Sequence, residues 1–570
     1  MDTADLALMP MLLPLSGAAL AMLSKAFAKG RLQDICLGIA GWIGLGLAWI
    51  PMGILLPKVL GGQEIDFMIG TWRAGSGIYY RFDGLAWAVN ALSLILCGLS
   101  WMYSRSAGPK GPTFSAIYLI QVASVAAAAS TFDLFNLFVC LEVMGMASYV
   151  LISEAKTGGS YLAAFTYLMS SAATMLLFLV GTYGLYRLTG SLQYYEIGAY
   201  LATCPPEESR IAALCAICIV IPIVLRAAVM PLSGWLLLAH SQAPHPVSAV
   251  LSGVLLKVPL FVLLRLLLVF PSGPMLGSAI SIAGVLSAFV AVVLALCQSD
   301  AKRLLAYHSI SQTGYVAAAF GASIPLLSGG DSALGLALLS SSFLHALGHG
   351  IFKSLLFLSV GNLIDASGER NVYTLRGGAS LLRRSGDAFG LSGLSFAVGA
   401  LSIAAIPPFI GFSSKGYLSS FLPSPLSYSL VGLAAVGTVA SFIKLGRIFF
   451  LPSPAAAPLP GTRLGFLRLL APAALALLCL VGGLAGPWLL GFAATLLNPG
   501  SDPGLTVKTL YSVKTLLATG ATTLSGIAIF LFITSKPGKR LTGLLGDRHV
   551  PFETIFVGMA AAMLILAARI

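Results

Sequence analysis

The amino-acid sequence predicts an all-α polytopic membrane protein of about 14–16 transmembrane helices, and three observations carry that reading. Apolar residues (Ala, Val, Ile, Leu, Met, Phe, Trp, Tyr and Cys) make up 58% of the 570 positions, while Asp, Glu, Lys and Arg make up 9%. Water-soluble domains carry about 25% charged residues, and the mean hydropathy here is +0.93, so lipid is the solvent for most of the chain. Apolar runs long enough to cross ~30 Å of hydrocarbon recur from end to end, and proline and charge interrupt them at only a few places.

The formal net charge of +13 comes from 33 basic against 20 acidic residues. In a soluble protein that excess suggests nucleic acid, but here the basic residues fill short loops: Lys25, Lys29 and Arg31 in one, Arg105 and Lys110 in another, Arg370, Arg376, Arg383 and Arg384 in a third. That is the pattern of cytoplasmic loops under the positive-inside rule, and it excludes nucleic acid as the expected partner. Acidic residues mark the alternate connectors, with Asp2 and Asp5 before the first span and Glu196, Glu207 and Glu208 after the sixth. The N-terminus is therefore expected outside. Met1 to Asp5 lacks the basic start of a cleaved signal peptide.

Eight cysteines give no disulfide or metal framework. Most are isolated in or beside apolar runs, where a free thiol acts as a small hydrophobe. Only Cys215 and Cys218 are close, and no second pair completes a cluster.

Along the chain, apolar blocks cover about 6–24 and 35–56, then the character changes. Gly61-Gly62, Gly75, Gly77 and Tyr79-Tyr80 read as an exposed, hairpin-like connector over 57–83. Spans resume at about 85–103, 114–131, 134–153, 161–188 and 211–229, with a long polar connector from Thr189 to Arg210. Four regions follow: N-terminal helices over 1–113, a first repeat over 114–270, a second over 271–452, and C-terminal helices over 453–570.

From Arg226 onward the pattern departs from plain lipid-facing helix. Pro231, Pro244, Pro246 and Pro259 interrupt one apolar stretch that also holds Arg226, two histidines and Lys257. Backbone freed by proline needs a partner inside the bilayer, so broken helices occur where protein or a wet cavity supplies one. A second such place is Pro407-Pro408, followed by Lys415. The two breaks match: Pro231-Leu-Ser-Gly234-Trp235 and Pro408-Phe-Ile-Gly411-Phe412 stand 177 positions apart. Repeats with interrupted helices at corresponding positions are a transporter feature, and ion sites lie at those breaks.

Several charges stand where charge costs roughly 2.5–3.5 kcal/mol on insertion scales. Glu142 lies well inside a span, and Arg226, Lys257 and Lys353 border apolar runs. His345, His349 and Lys353 are four residues apart and fall on one helix stripe. Taken singly, Arg226 and Lys257 also read as side chains snorkelling to the interface, and the histidines as hydrogen-bonding partners of neighbouring helices. Glu142 must be protonated or paired with a cation. Carboxylate, imidazole and ammonium groups at membrane depth together suit stepwise proton transfer. Phosphate-loop, nucleophile-elbow and zinc-protease motifs are missing, and no cofactor is expected.

These residues resemble the antiporter-like membrane subunits of respiratory complex I, of Mrp-type sodium/proton antiporters and of energy-converting membrane-bound hydrogenases. Five stretches between about Asp83 and Lys415 carry the likeness. FDLFNLFVCLEVMGMASYVLI resembles the family's glutamate helix, which places the essential carboxylate on Glu142. LRAAVMPLSGWLLLAHSQAPHPVSAVLSGVLLK resembles the broken-helix segment, with its two basic residues on Arg226 and Lys257. KRLLAYHSISQTGYV holds Lys302 and His308, HALGHGIFKSLLFLSVG places a relay on His345, His349 and Lys353, and PPFIGFSSK ends at Lys415. The resemblance implies two inverted five-helix repeats with broken helices. It implies proton translocation, with or without sodium exchange, along a mid-membrane axis from Glu142 with Arg226 to Lys415. It further implies a place beside other membrane subunits and redox-active partners, as a non-redox subunit of an oxidoreductase or of an antiporter, in a prokaryotic cytoplasmic (inner) membrane.

This sequence departs from the family at two points. Arginine stands at 226 where lysine is usual, and guanidinium does not give up its proton; Arg226 is then expected to hold Glu142 ionised as a fixed counter-ion. Ser233 and Leu237 replace a histidine and a proline. A stand-alone secondary transporter and a non-pumping structural subunit remain as alternatives.

Overall fold

The computed structural model describes residues 2–70, 77–452, 459, 463–500, 510–545 and 553–570. Helix α1 (Thr3–Phe27) starts at a reciprocal cap between Asp2 and Asp5. Helices α2 (Gly30–Gly41) and α3 (Trp49–Leu60) join through a π-helical turn, Trp42–Leu47, into one crossing.

The connector that follows is a two-stranded antiparallel hairpin, β1 (Ile65–Ile69) and β2 (Ile78–Phe82). It begins after Leu60 rather than at 57, and Gly75 lies outside the described residues. Not all of this connector is exposed. Tyr80 is buried and stacks on its cross-strand partner Phe67 at 5.4 Å, while Arg81 pairs with Glu64 and Asp66.

After α4 (Gly84–Ser106) come two sets of five crossings. The first is α5 (Pro112–Ser130), α6 (Leu134–Ser153), α7 (Gly158–Thr189), the split pair α9 (Pro206–Arg226) and α10 (Gly234–Gln242), and the pair α11 (His245–Val250) and α12 (Val258–Val269). A short α8 (Tyr194–Leu201) lies in the connector expected to be polar. The second is α13 (Gly273–Cys297), α14 (Ala301–Ser328), α15 (Ser332–Ser367), the split pair α17 (Leu391–Ile403) and α18 (Ile410–Ser420), and α19 (Pro425–Phe450), with a short α16 (Gly378–Arg384) in a loop. Five is odd, so the second set starts from the opposite face and the repeats are inverted. The chain finishes with α20 (Phe466–Leu484), α21 (Gly486–Leu497), α22 (Val513–Thr534), α23 (Lys536–Leu545) and α24 (Glu553–Ala567). Among the described residues, 13 helical segments are long and apolar enough to cross a membrane.

Small residues let α13 and α14 pack closely. A Cβ on Gly284 would come within 2.4 Å of the Ala318 amide nitrogen, and one on Gly321 within 2.4 Å of the Gly277 carbonyl. Backbones that close are the signature of packing between membrane helices, where no hydrophobic force separates protein from lipid. Cys215 does similar work, its backbone and thiol filling the space left by Gly181 and Gly184 of α7.

Both breaks repeat in the backbone. Ala228 and Ala405 take left-handed φ values of 54° and 58°, and the peptide bonds Met230-Pro231 and Pro407-Pro408 are both cis. The apolar block expected to reach 229 therefore stops as helix at Arg226. Freed backbone groups find partners: the Trp235 indole donates to the Leu225 carbonyl at 2.9 Å, and the Met230 amide donates to Ser287 Oγ at 2.8 Å. In the second break Gly411 is required, since a Cβ there would sit 1.7 Å from the Ser402 carbonyl oxygen.

Burial sorts the helices by role. The His245–Val269 crossing is wholly enclosed by protein and Ser332–Ser367 nearly so, whereas α22 is almost entirely uncovered. These two enclosed crossings carry Lys257, His345, His349 and Lys353.

Candidate functional site

Glu142 projects from the middle of α6 and meets Arg226 at the last turn of α9. The guanidinium donates to the carboxylate and, through its other amino group, to the Leu141 carbonyl at 2.6 Å. Arg226 is 1% exposed and Glu142 25%, so the cation is enclosed while the glutamate side chain is partly exposed. Tyr149 and Tyr167 lie close enough to interact with both charges. The pairing expected for Glu142 is present, and its partner is a group that holds a proton permanently.

Lys257 follows a π-helical turn, Leu251–Leu255. Pro259 explains the irregularity: it has no N–H to give the carbonyl four residues back, and its ring crowds that carbonyl. The widened turn leaves the Ser252 carbonyl free to accept from the Lys257 ammonium, and Ser252 Oγ lies 2.8 Å from Ser309 Oγ of α14. Single π turns of this kind recur at functional sites.

His345, His349 and Lys353 lie along one face of α15, all fully buried. The two imidazole rings stack at 6.4 Å, and His345 Nδ1 lies 2.9 Å from Ser414 Oγ, the residue before Lys415. Lys415 sits 4.8 Å over the Tyr315 ring, which itself lies 6.0 Å from His345. Its ammonium donates to the Ile403 carbonyl at 2.6 Å across the second break. Lys353 donates to the Leu305 carbonyl at 2.5 Å and faces the Phe357 ring. Lys257 is the charge common to the group, acting on His345, His349 and Lys353. His308 of α14 is buried against Phe442 at 4.9 Å and faces Lys353 and Lys415.

The structure thus gathers six of the eight sequence-predicted residues, Lys257, His308, His345, His349, Lys353 and Lys415, around α15. Glu142 and Arg226 form their own pair on α6 and α9. Both ring nitrogens of His308 and His349, and both polar atoms of the Gln312 amide, are buried with no protein partner. Orphan polar atoms at such depth call for internal water, which bridges groups too far apart for direct contact. Like charges this deep repel strongly because screening is weak, so protonation of one lysine or histidine opposes protonation of the next.

Sequence reasoning missed several contributors. Ser252, Ser309, Ser414 and Tyr315 carry no charge and look like ordinary small or aromatic helix residues. His240 of α10, enclosed with neither ring nitrogen bonded, was counted in the sequence only as one of two histidines among the prolines and given no role. Lys444, which had no assigned role, caps α13 by donating to the Leu296 and Gln298 carbonyls at 2.9 and 2.6 Å.

Residues 131–444 match the family described as NADH:quinone oxidoreductase/Mrp antiporter, transmembrane, and the chain belongs to this family. NADH-quinone oxidoreductase subunit N of Desulforudis audaxviator is 28% identical, over 80% of this chain and 87% of that one. Formate hydrogenlyase subunit 3 of Escherichia coli is 29% identical over 79% and 74%, and an Na(+)/H(+) antiporter subunit from Alkalihalophilus pseudofirmus is 27% identical over 78% and 86%. The fold matches a chain of the Mrp complex from Dietzia sp. with a TM-score of 0.76 at 21% identity, covering 91% of this chain and 99% of that one. A chain of the archaeal membrane-bound sulfane sulfur reductase aligns with a TM-score of 0.75 at 22% identity, over 86% and 98%. The protein is an antiporter-like integral membrane subunit whose relatives work in multisubunit membrane assemblies.

Proposed function

We propose that this chain moves protons across the membrane along the buried basic groups of α12, α14, α15 and α18, as one subunit of a larger assembly. The observation that supports it most is the convergence of Lys257, His345, His349, Lys353 and Lys415 in the enclosed interior, with His308 beside them. Each of these groups binds and releases a proton, and each senses the charge of its neighbours, so a change at one end propagates. Glu142 with Arg226 acts at the other end as a charge pair. Its opening or closing alters the field felt inward, without Arg226 itself surrendering a proton.

The energy comes from elsewhere. Moving one charge against 100 mV takes ~2.3 kcal/mol, so redox-active partner subunits or a sodium gradient drive the movement. The membrane is the cytoplasmic membrane of a prokaryote, with the N-terminus outside. The loops bearing Lys25, Arg105 and their neighbours support that orientation: Lys25 reaches Thr113 at 3.4 Å and Arg105 reaches the Asp34 carbonyl at 3.1 Å, so basic loops share one face.

Affinity purification of the intact assembly tests the partner half of this reading. Co-purifying flavin, iron–sulfur or nickel–iron subunits are expected for the redox-driven form; a chain that purifies alone and exchanges cations in liposomes would overturn it.

A further inference from the structure

Arg226 carries a planar head with five N–H donors in a fixed fork, and the residues around it match that shape. Gly145 stands on the same face of α6 as Glu142, one turn further on. A Cβ there would come within 2.8 Å of Arg226 Nη1 and within 2.7 Å of the Tyr149 hydroxyl. Nη1 is the nitrogen that donates to the Leu141 carbonyl. Glycine inside a helix is destabilising relative to alanine, and here it lets the guanidinium pass close against α6.

The other side of the head is built as well. Tyr149 meets Tyr167 of α7 edge to face at 4.8 Å, and Tyr167 stacks on Trp235 of α10 at 3.8 Å. The Trp235 indole donates to the carbonyl of Leu225, the residue before Arg226, so the chain of contacts closes on itself through the first break. All three aromatic residues are buried. Arg226 Nε, the Tyr149 hydroxyl and the Ser171 hydroxyl are buried without a direct protein partner, and Tyr149 lies within reach of both Arg226 and Ser171. Three partners are what a buried water typically bonds.

We propose that Gly145, Tyr149 and Ser171 form a seat specific for arginine beside Glu142. Gly145 admits the second amino group to the Leu141 carbonyl, and Tyr149 with Ser171 holds the Nε–H through one shared water. All three are positioning residues: they act on Glu142 through Arg226. A lysine in the same place has one ammonium head and no Nε–H, so it reaches Glu142 without using either contact. The transport consequence rests on the proton-carrying reading above, because the seat sets how firmly the permanent cation is held against the carboxylate.

Two double-mutant cycles in the intact assembly test the seat. Gly145→Ala and Tyr149→Phe are each made in the wild-type and in the Arg226→Lys background, and each is read by unfolding temperature and by proton uptake into liposomes. Groups in contact couple, whereas independent sites add. In the wild-type background each substitution is expected to lower the unfolding temperature and to slow uptake roughly threefold or more. In the Arg226→Lys background both readings are expected to stay close to those of Arg226→Lys alone. A general loss of helix packing would penalise both backgrounds alike, so equal losses in the two, or none in either, overturn the seat. Where Gly145→Ala does not assemble, failure confined to the wild-type background is the expected result, and failure in both is the contrary one. The unfolding cycle needs no transport: it decides the seat even where Lys257→Met leaves uptake unchanged and the proton-carrying reading falls.

Discussion

Arg226 separates two jobs that a lysine would combine. It holds Glu142 and the Leu141 carbonyl together, and its proton is permanent, so it tunes a field rather than passing a proton on. Removing one partner of a buried ion pair costs roughly 3–5 kcal/mol; because Glu142 is 25% exposed, Arg226→Ala is expected to fall at or below the low end of that range. Thermal unfolding of the purified assembly checks it, and Arg226→Lys is expected to restore most of the loss. Lys257 behaves differently. Lys257→Met removes the charge that acts on His345, His349 and Lys353, and transport is expected to fall more than tenfold with unfolding temperature within a few degrees of wild type.

At the scale of the element, the broken helices were legible because proline and glycine are punctuation that survives without a structure. Pro231 with Gly234 and Pro408 with Gly411 showed the repeat, and the left-handed Ala228 and Ala405 complete it at the same separation. The π turn before Lys257 was not legible, since Leu251–Leu255 has the composition of any membrane helix and only the hydrogen-bond register differs. Tyr80 was misjudged for a related reason: two adjacent aromatics read as an exposed turn, whereas strand alternation turns one inward onto Phe67. Two substitutions test these elements. Pro259→Ala returns an N–H to the start of α12 and lets the π turn relax, rotating Lys257 away from Ser252; stability is expected unchanged or higher while transport falls. Gly411→Ala forces a Cβ against the Ser402 carbonyl, and overpacking of that kind costs about 1–3 kcal/mol, read as a lower unfolding temperature.

For the whole molecule, the candidate residues were legible because charge is conspicuous in a chain that is 9% charged, and their grouping was not, because it depends on which helices α15 packs against. Neutral groups such as Ser414 and Tyr315, and the enclosure of His240, entered only with the fold. The outer face of α6 carries a further consequence. Phe135, Val139 and Met146 are 51%, 40% and 53% exposed on the same stripe as Glu142, and a partly exposed glutamate at that depth is costly against acyl chains. A neighbouring membrane subunit is expected to cover it, and a photo-crosslinking residue at Met146 is expected to capture that subunit rather than lipid alone.

The central claim is that the buried basic groups conduct protons. Its most direct measurement is proton uptake into liposomes holding the purified assembly, driven by a potassium diffusion potential set with valinomycin, for wild type and Lys257→Met side by side. The account expects rapid uptake in the first and near-background uptake in the second. Equal rates in the two would contradict it.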